Sequence, residues 1–142
     1  MATINLFVYG SLMSAKVMQR IIGRTPKHEK AVLLGYHRYK IHDELYPAIA
    51  PKEGAKVQGM FIKDLTEGEI IAMDAWEDDE YTRLEVEIEL QHQEEAGTKR
   101  TAMANAYCWS PHSDHMRLHG TWEFEHDFKP IEQNFLDTNC PY

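Results

Sequence analysis

The period of apolar and polar positions changes several times along the chain, and each change marks an element. Residues 4–9 (Ile4, Asn5, Leu6, Phe7, Val8, Tyr9) are mostly apolar, β-branched or aromatic and end at Gly10, the pattern of a short strand stopped by a turn. The period then lengthens. Met13, Val17, Met18, Ile21 and Ile22 recur at helical spacing, and Gly23 follows as a C-cap. Residues 31–41 predict a second strand with Gly35 as a bulge. Tyr46, Pro47, Ala48 and Ile49 make a short stretch whose proline disfavours a central ladder position, and residues 57–62 predict a third strand. Thr66 and Glu69 have the spacing of a capping box, with Leu65 and Ile70 placed as its hydrophobic staple. A helix should therefore start at Thr66 and end near Trp76 or Glu77. The cleanest alternation comes next: Leu84, Val86, Ile88 and Leu90 share one face, and Glu85, Glu87 and Glu89 the other. An apolar run over residues 101–109 matches it, with a turn at Glu94, Glu95, Ala96 and Gly97, so the pair predicts a long antiparallel hairpin with one wet face. Residues 131–136 suggest a short last helix.

Together these elements predict an α+β fold whose mostly antiparallel sheet curls toward a barrel. A length of 142 residues suits one domain over 1–142, with 110–142 as a C-terminal extension packing on it. The charge narrows the partners. Lys and Arg number 15 against 23 Asp and Glu, a formal charge of -8, which argues against nucleic acid and against docking on an anionic membrane. Cys108 and Cys140 form no CxxC pair and no apolar run approaches the ~20 residues of a membrane helix, so a cytoplasmic setting is the simplest expectation. Monomer or weak homodimer is the expected state. Neither nucleotide-binding glycine motif is present, nor is the G-x-S-x-G elbow of a serine hydrolase.

Two places hold more than packing. At Tyr9, Gly10, Ser11 and Leu12 a strand runs through glycine into a helix; glycine permits positive φ, so successive backbone N–H groups can converge on an anion. Most such turns are plain connections. The second place is Glu77, which helical spacing puts between Ile70 and Met73, beside apolar side chains and crowded by Asp74 and Asp78. Desolvation, like charge and the helix C-terminus all favour its protonated form, which suits proton transfer near neutrality. The charge pattern alone equally fits a solvated acidic run from Glu77 to Glu80. His112, His115, His119 and His126 invite a metal, but without a cysteine or H-E-x-x-H spacing surface histidines fit better and no metal is expected. Cys108 reads as a small core residue; Trp76, Trp109 and Trp122 could line a pocket, with core packing the default for each.

The two places join in one ordered pattern: Phe7-Val8-Tyr9-Gly10-Ser11-Leu12, then Tyr46-Pro47-Ala48-Ile49, Val57-Gln58-Gly59, and Met73-Asp74-Ala75-Trp76-Glu77 with Tyr81 and Arg83. This resembles the γ-glutamylcyclotransferase-like family, most closely its plant AIG2-like and γ-glutamylamine cyclotransferase branches, over residues 4–109 with an echo at Trp122, Glu123 and Phe124. The resemblance implies a small mixed β-barrel flanked by helices. It also implies a cofactor-independent acyltransferase-type enzyme that releases 5-oxoproline from a small γ-glutamyl substrate. By position, Tyr9, Gly10, Ser11, Leu12, Met13 and Ser14 would hold the glutamyl head and Glu77 would accept the proton. Tyr46 and Tyr81 would line the pocket. Asp78 departs from the glycine many relatives place after the acid. The alternative is a non-catalytic module of the same fold that senses a γ-glutamyl or carboxylate metabolite.

Overall fold

The computed structural model describes residues 3–77, 79–91 and 100–139. The expected turn at Glu94, Glu95, Ala96 and Gly97 lies outside the described residues, as do Asp78 and Cys140. In chain order the elements are β1 (Ile4–Val8), α1 (Ala15–Ile22), β2 (Glu29–Ile41), β3 (Pro47–Leu65), α2 (Glu67–Trp76), β4 (Tyr81–Leu90), β5 (Arg100–Trp109), β6 (Leu118–His119) and α3 (Glu132–Asn139). A 3-10 turn, Ser11–Met13, precedes α1; a turn of π-helix, Phe124–Phe128, and a 3-10 turn, Lys129–Ile131, lead into α3.

The strands form one sheet in the order β3-β1-β5-β4-β2-β6, and β3 also pairs with β2, so β3, β1, β5, β4 and β2 close a ring. All pairings are antiparallel except β1 with β5. The predicted hairpin is β4 with β5, in register from Tyr81 opposite Trp109 to Leu90 opposite Arg100. Its apolar face is less uniform than the alternation implies: Val86, Ile88 and Leu90 are buried, while Leu84 stays 42% exposed.

The stretch at Pro47 and the strand over 57–62 are not separate. They are the two halves of β3, a single strand of 19 residues. Leu34 pairs with Lys56 but Tyr36 with Pro51, so residues 52–55 bulge out opposite Gly35. Gly35 and Gly54 carry the positive φ values of +83 and +79 that this irregularity requires. Pro47 sits at the first residue of its strand, where a missing N–H costs the ladder least.

Alternation along β1 separates two cores. Phe7 joins Leu33, Ile49, Val57, Phe61, Val86, Ile88 and Cys108 in a cluster supplied by the strands. Leu6 and Val8 join Val17, Met18, Ile70, Met73, Trp122, Phe128 and Phe135, which cover the sheet with α1, α2 and the residues after β5. At Gly59 β3 lies tight against β1: an added Cβ would lie 2.4 Å from the Val8 carbonyl oxygen and 2.7 Å from the Phe7 ring. Any side chain there would force the two strands apart. No helix among the described residues is long and apolar enough to cross a membrane.

Candidate active site

β1 delivers the chain to its turn at the end of the ring. Within that turn Met13 N–H donates to the Gly10 carbonyl and Ser14 N–H to the Ser11 carbonyl, both at 2.9 Å. Among the described residues, no backbone hydrogen bond of the turn engages the amides of Gly10, Ser11 or Leu12. The glycine is needed for a different reason than expected. Gly10 has φ -121 and ψ -135 rather than a positive φ. A Cβ there would meet the Pro47 ring at 3.1 Å, so glycine lets the start of β3 pack against the turn.

α2 delivers the acid. Its N-terminus follows the local code: Thr66 caps Glu69 N–H, and the Glu69 carboxylate returns to Thr66 N–H. At the other end Glu77 is the C-cap, not a helical residue. Its N–H closes the last turn onto the Met73 carbonyl at 3.0 Å, while its ψ of 149 is extended. Its φ of -78 keeps its Cα–Cβ bond close to the helical direction, and the extended ψ turns the chain that follows away from the helix. Asp74 does not simply crowd Glu77 with like charge. The Asp74 carboxylate accepts the Tyr107 hydroxyl at 2.6 Å and lies 3.1 Å from Arg83 Nε, so a guanidinium offsets its charge.

Glu77 and the turn line one cavity of about 390 Å³. Tyr9, Gly10, Ser11 and Leu12 form one side, and Tyr46 and Tyr81 line it as well. Three phenols are committed to the protein. Tyr9 donates to the Tyr107 carbonyl oxygen, Tyr81 to the Pro47 carbonyl oxygen at 2.6 Å, and Tyr107 to Asp74. Burial first, and the Glu77 charge next, hold the Tyr9 phenol well above its ordinary range. Tyr107 is raised chiefly by burial and by its bond to Asp74, with Glu77 adding to the effect. Both phenols stay neutral donors, and both sense Glu77 electrostatically.

Two expected site residues lie elsewhere. Ser14 is buried, caps Val17 N–H at the start of α1 and donates its hydroxyl to Glu132 of α3. Met13 turns its sulfur toward Arg38, 3.9 Å away on the other side of the turn. Neither lines the cavity, because the 3-10 turn rotates them away after Leu12. Pro47 and Trp76, members of the quoted sequence pattern, line it too, and Tyr107 and Phe135 line it unannounced by any motif. Tyr107 lies opposite Arg83, on the hairpin face that the alternation reads as wet, and Phe135 carries no periodic signal either.

Arg38 is a further residue the sequence left silent. Its guanidinium donates to the carbonyls of Tyr9 at 2.9 Å, Gln58 at 3.0 Å and Trp122 at 2.8 Å. It thereby ties the end of β1 to β3 and to the segment after β6, and burial lowers its pKa from the usual arginine range. Cys108 is buried in β5, where burial pushes its thiol up to about 12, so it is no nucleophile. The histidines disperse. His112 contacts the Asp79 carbonyl, His119 stacks on His42 at 3.9 Å, and His126 lies against Asp127. Among the described residues no group of three or more His, Cys, Asp or Glu could hold a metal ion.

A family model described as "Gamma-glutamyl cyclotransferase, AIG2-like" matches residues 6–124. The chain belongs to this family. It is 35% identical to "AIG2-like protein C" of Arabidopsis thaliana over 96% of this chain and 80% of that protein. A solution structure of another Arabidopsis thaliana protein is 32% identical, superposes with a TM-score of 0.74, and covers 97% of this chain and 80% of the other. The crystal structure of an AIG2-like protein from mouse shares the fold at 19% identity and a TM-score of 0.67, over 88% and 91% of the two chains. The mixed sheet with flanking helices is thus the architecture of AIG2-like γ-glutamyl cyclotransferases.

Proposed function

We propose that this chain releases 5-oxoproline from a γ-glutamyl amide by internal cyclisation, with Glu77 as proton acceptor and donor. The α-amine of the glutamyl group attacks its own γ-carbonyl carbon. The new C–N bond closes a five-membered lactam, the old amide C–N bond breaks, and the amine departs. Both reacting atoms belong to one molecule, so the site's main task is to fold the substrate into the attacking conformer. An α-ammonium with a reference pKa of about 8 is mostly protonated at neutral pH and cannot attack. Glu77 takes that proton and returns it to the departing nitrogen, assistance worth roughly 10²–10⁴-fold.

The observation that carries this reading is that Glu77 and the turn residues Gly10, Ser11 and Leu12 line the same cavity. The amides of that turn suit the substrate's α-carboxylate or the oxyanion of the tetrahedral intermediate. The family match supports the reaction class. No step needs a metal or cofactor. Incubating the protein with γ-glutamyl amides and dipeptides, beside Glu77→Gln, and measuring 5-oxoproline tests the reading. Turnover by the wild type that disappears in Glu77→Gln is expected. Wild-type turnover in the variant removes Glu77 from the mechanism, and ligand-induced stabilisation with no lactam points to a binding module.

A further inference from the structure

One side chain outside the main cavity grips the backbone that lines it. Arg38 projects from β2, opposite Ile49 of β3, and its planar guanidinium meets carbonyls of three separate segments. Nε donates to Trp122 at 2.8 Å, while Nη1 donates to Gln58 at 3.0 Å and to Tyr9 at 2.9 Å. The group also lies over the Trp122 ring, 5.6 Å from its centroid. Gln58 and Trp122 stand outside the Gly10 turn, so their bonds fix the fork independently of it. The remaining bond, to Tyr9, then fixes the start of the turn.

Peptide geometry carries that bond to the other face of the turn. The Tyr9–Gly10 peptide is trans, so the Gly10 N–H points opposite the Tyr9 carbonyl. The carbonyl is turned to Arg38, which lines a separate cavity with Met13 and Glu123. The N–H is therefore directed away from Arg38, and Gly10 lines the main cavity. Among the described residues, no backbone hydrogen bond of the turn occupies that N–H. A cation on the carbonyl also polarises the peptide and makes its N–H a stronger donor. The Arg38 charge is felt on the cavity wall as well: at the Tyr9 phenol it opposes the rise imposed by burial and by Glu77.

The substrate's own charge gives this amide a task. A γ-glutamyl compound brings an α-carboxylate, and among the described residues no Lys, Arg or His lines the main cavity. A carboxylate leaving water needs donors in exchange, and the Gly10 amide is the one backed by a cation. We propose that Arg38 is a positioning residue: through the Tyr9–Gly10 peptide it aims and strengthens the Gly10 N–H as a donor to the substrate's α-carboxylate.

The inference rests on the cyclisation reading for the identity of the substrate, but a binding experiment without turnover tests it. The lactam 5-oxoproline keeps the carboxylate, and 5-oxoprolinamide replaces it with a neutral amide. Calorimetric titration of both ligands into the wild type, Arg38→Met and Arg38→Lys measures the preference for the carboxylate. The wild type should prefer 5-oxoproline by about tenfold or more, the scale of one hydrogen bond to a charged group. Arg38→Met keeps the side chain's length without its donors, and the preference should fall to about twofold or less. Arg38→Lys restores the charge without the fork and should stay within about threefold of Arg38→Met. If Arg38→Met does not fold by circular dichroism, Arg38→Gln takes its place. With γ-glutamylmethylamide, KM in the variant should rise about tenfold with kcat within about twofold, because a carboxylate charged throughout contributes uniform binding. A preference unchanged in a folded variant reduces Arg38 to a structural clamp and overturns the proposal. Full recovery in Arg38→Lys assigns the effect to charge alone and overturns the aiming. Wild-type binding that is absent, or equal for the two ligands, overturns the carboxylate site. A preference that collapses in Arg38→Met while no γ-glutamyl compound yields lactam upholds the role of Arg38 and overturns the cyclisation reading alone.

Discussion

The two ends of α2 carry the same residue type in opposite surroundings. At the N-terminus Glu69 is held from two sides: its carboxylate accepts Thr66 N–H at 2.9 Å and takes Arg24 in a two-point grip, at 2.5 and 2.8 Å. The Arg24 guanidinium, more than the cap, holds its pKa down to about 2. At the C-terminus Glu77 stands in an extended cap at the edge of an aromatic cavity, and its charge raises the two neighbouring phenols. Glu69 is fixed as a permanent anion and serves the fold. Glu77 lines the cavity beside the glycine turn, the place a proton-trading acid would occupy. Residue type alone cannot tell the two apart; the partners do.

Exchanging carboxylate for amide at each end should break the symmetry of that pair most sharply. Glu77→Gln is expected to lower kcat by roughly 10²–10⁴-fold. Its melting temperature should stay within about 2 °C of wild type, since the change removes no core contact. Glu69→Gln should do the reverse, with kcat unchanged and a small loss of stability. Steady-state lactam assays with thermal melts on both variants decide it; equal losses of activity would mean that the whole helix, not its C-terminus, matters.

Asp74 sits between the two behaviours. Through Tyr107 and Arg83 it ties the last turn of α2 to β5 and β4, and so sets where Glu77 stands. Asp74→Asn keeps the shape but weakens both bonds. We expect kcat to fall about tenfold with KM nearly unchanged, because a small misplacement of a reacting group is costly while binding contacts persist. A change confined to KM would instead make Asp74 part of substrate binding.

The same helix shows what the sequence could disclose. Its start was legible because the capping box, the staple and the first turn are all within six residues, and Leu65 and Ile70 are indeed buried together. The β4–β5 hairpin was legible for a similar reason: period two over ten residues fixes face and partner. The halves of β3 were not joined, because the irregularity opposite Gly35 is a property of the pairing, and Pro51, Lys52, Glu53 and Gly54 look like a loop when β2 is not in view. At the cavity, Glu77 and the glycine turn could be named from motifs. Their neighbours Tyr107 and Phe135 reach it from distant segments, 30 and 58 residues beyond Glu77, and no local period records such a meeting. Ser14 and Met13 were misplaced for a smaller reason. After Gly10 the chain leaves the strand's two-residue alternation for a 3-10 turn, so proximity in sequence to Gly10 stopped meaning proximity to the cavity.

Truncating the N-terminal acid should cost stability alone. Glu69→Ala removes both the Arg24 pair and the returning half of the capping box, and we expect a loss of about 1–2 kcal/mol in urea unfolding with kcat untouched. A loss of activity in step with stability would show that the two ends of α2 communicate.

The smallest expected effect isolates the charge itself. Glutamine at position 69 can still reach back to the cap, so Glu69→Gln separates the ion pair from the capping geometry. The folded pKa of Glu69 is about 2, below its ordinary 4.5. A carboxylate depressed in this way adds stability that is fully present above the ordinary value and is lost as pH falls through the folded one. The wild type should therefore exceed Glu69→Gln by about 0.5–1 kcal/mol near pH 6, a modest figure because solvent screens an exposed partner. Arg24 is indeed 46% exposed. The difference should begin to shrink below about pH 4.5 and vanish toward pH 2, and added salt should reduce it at neutral pH. A gap that persists unchanged to acid pH would assign the stabilisation to hydrogen-bond geometry rather than to charge, and the contrast between the two ends of α2 would then rest on Glu77 alone.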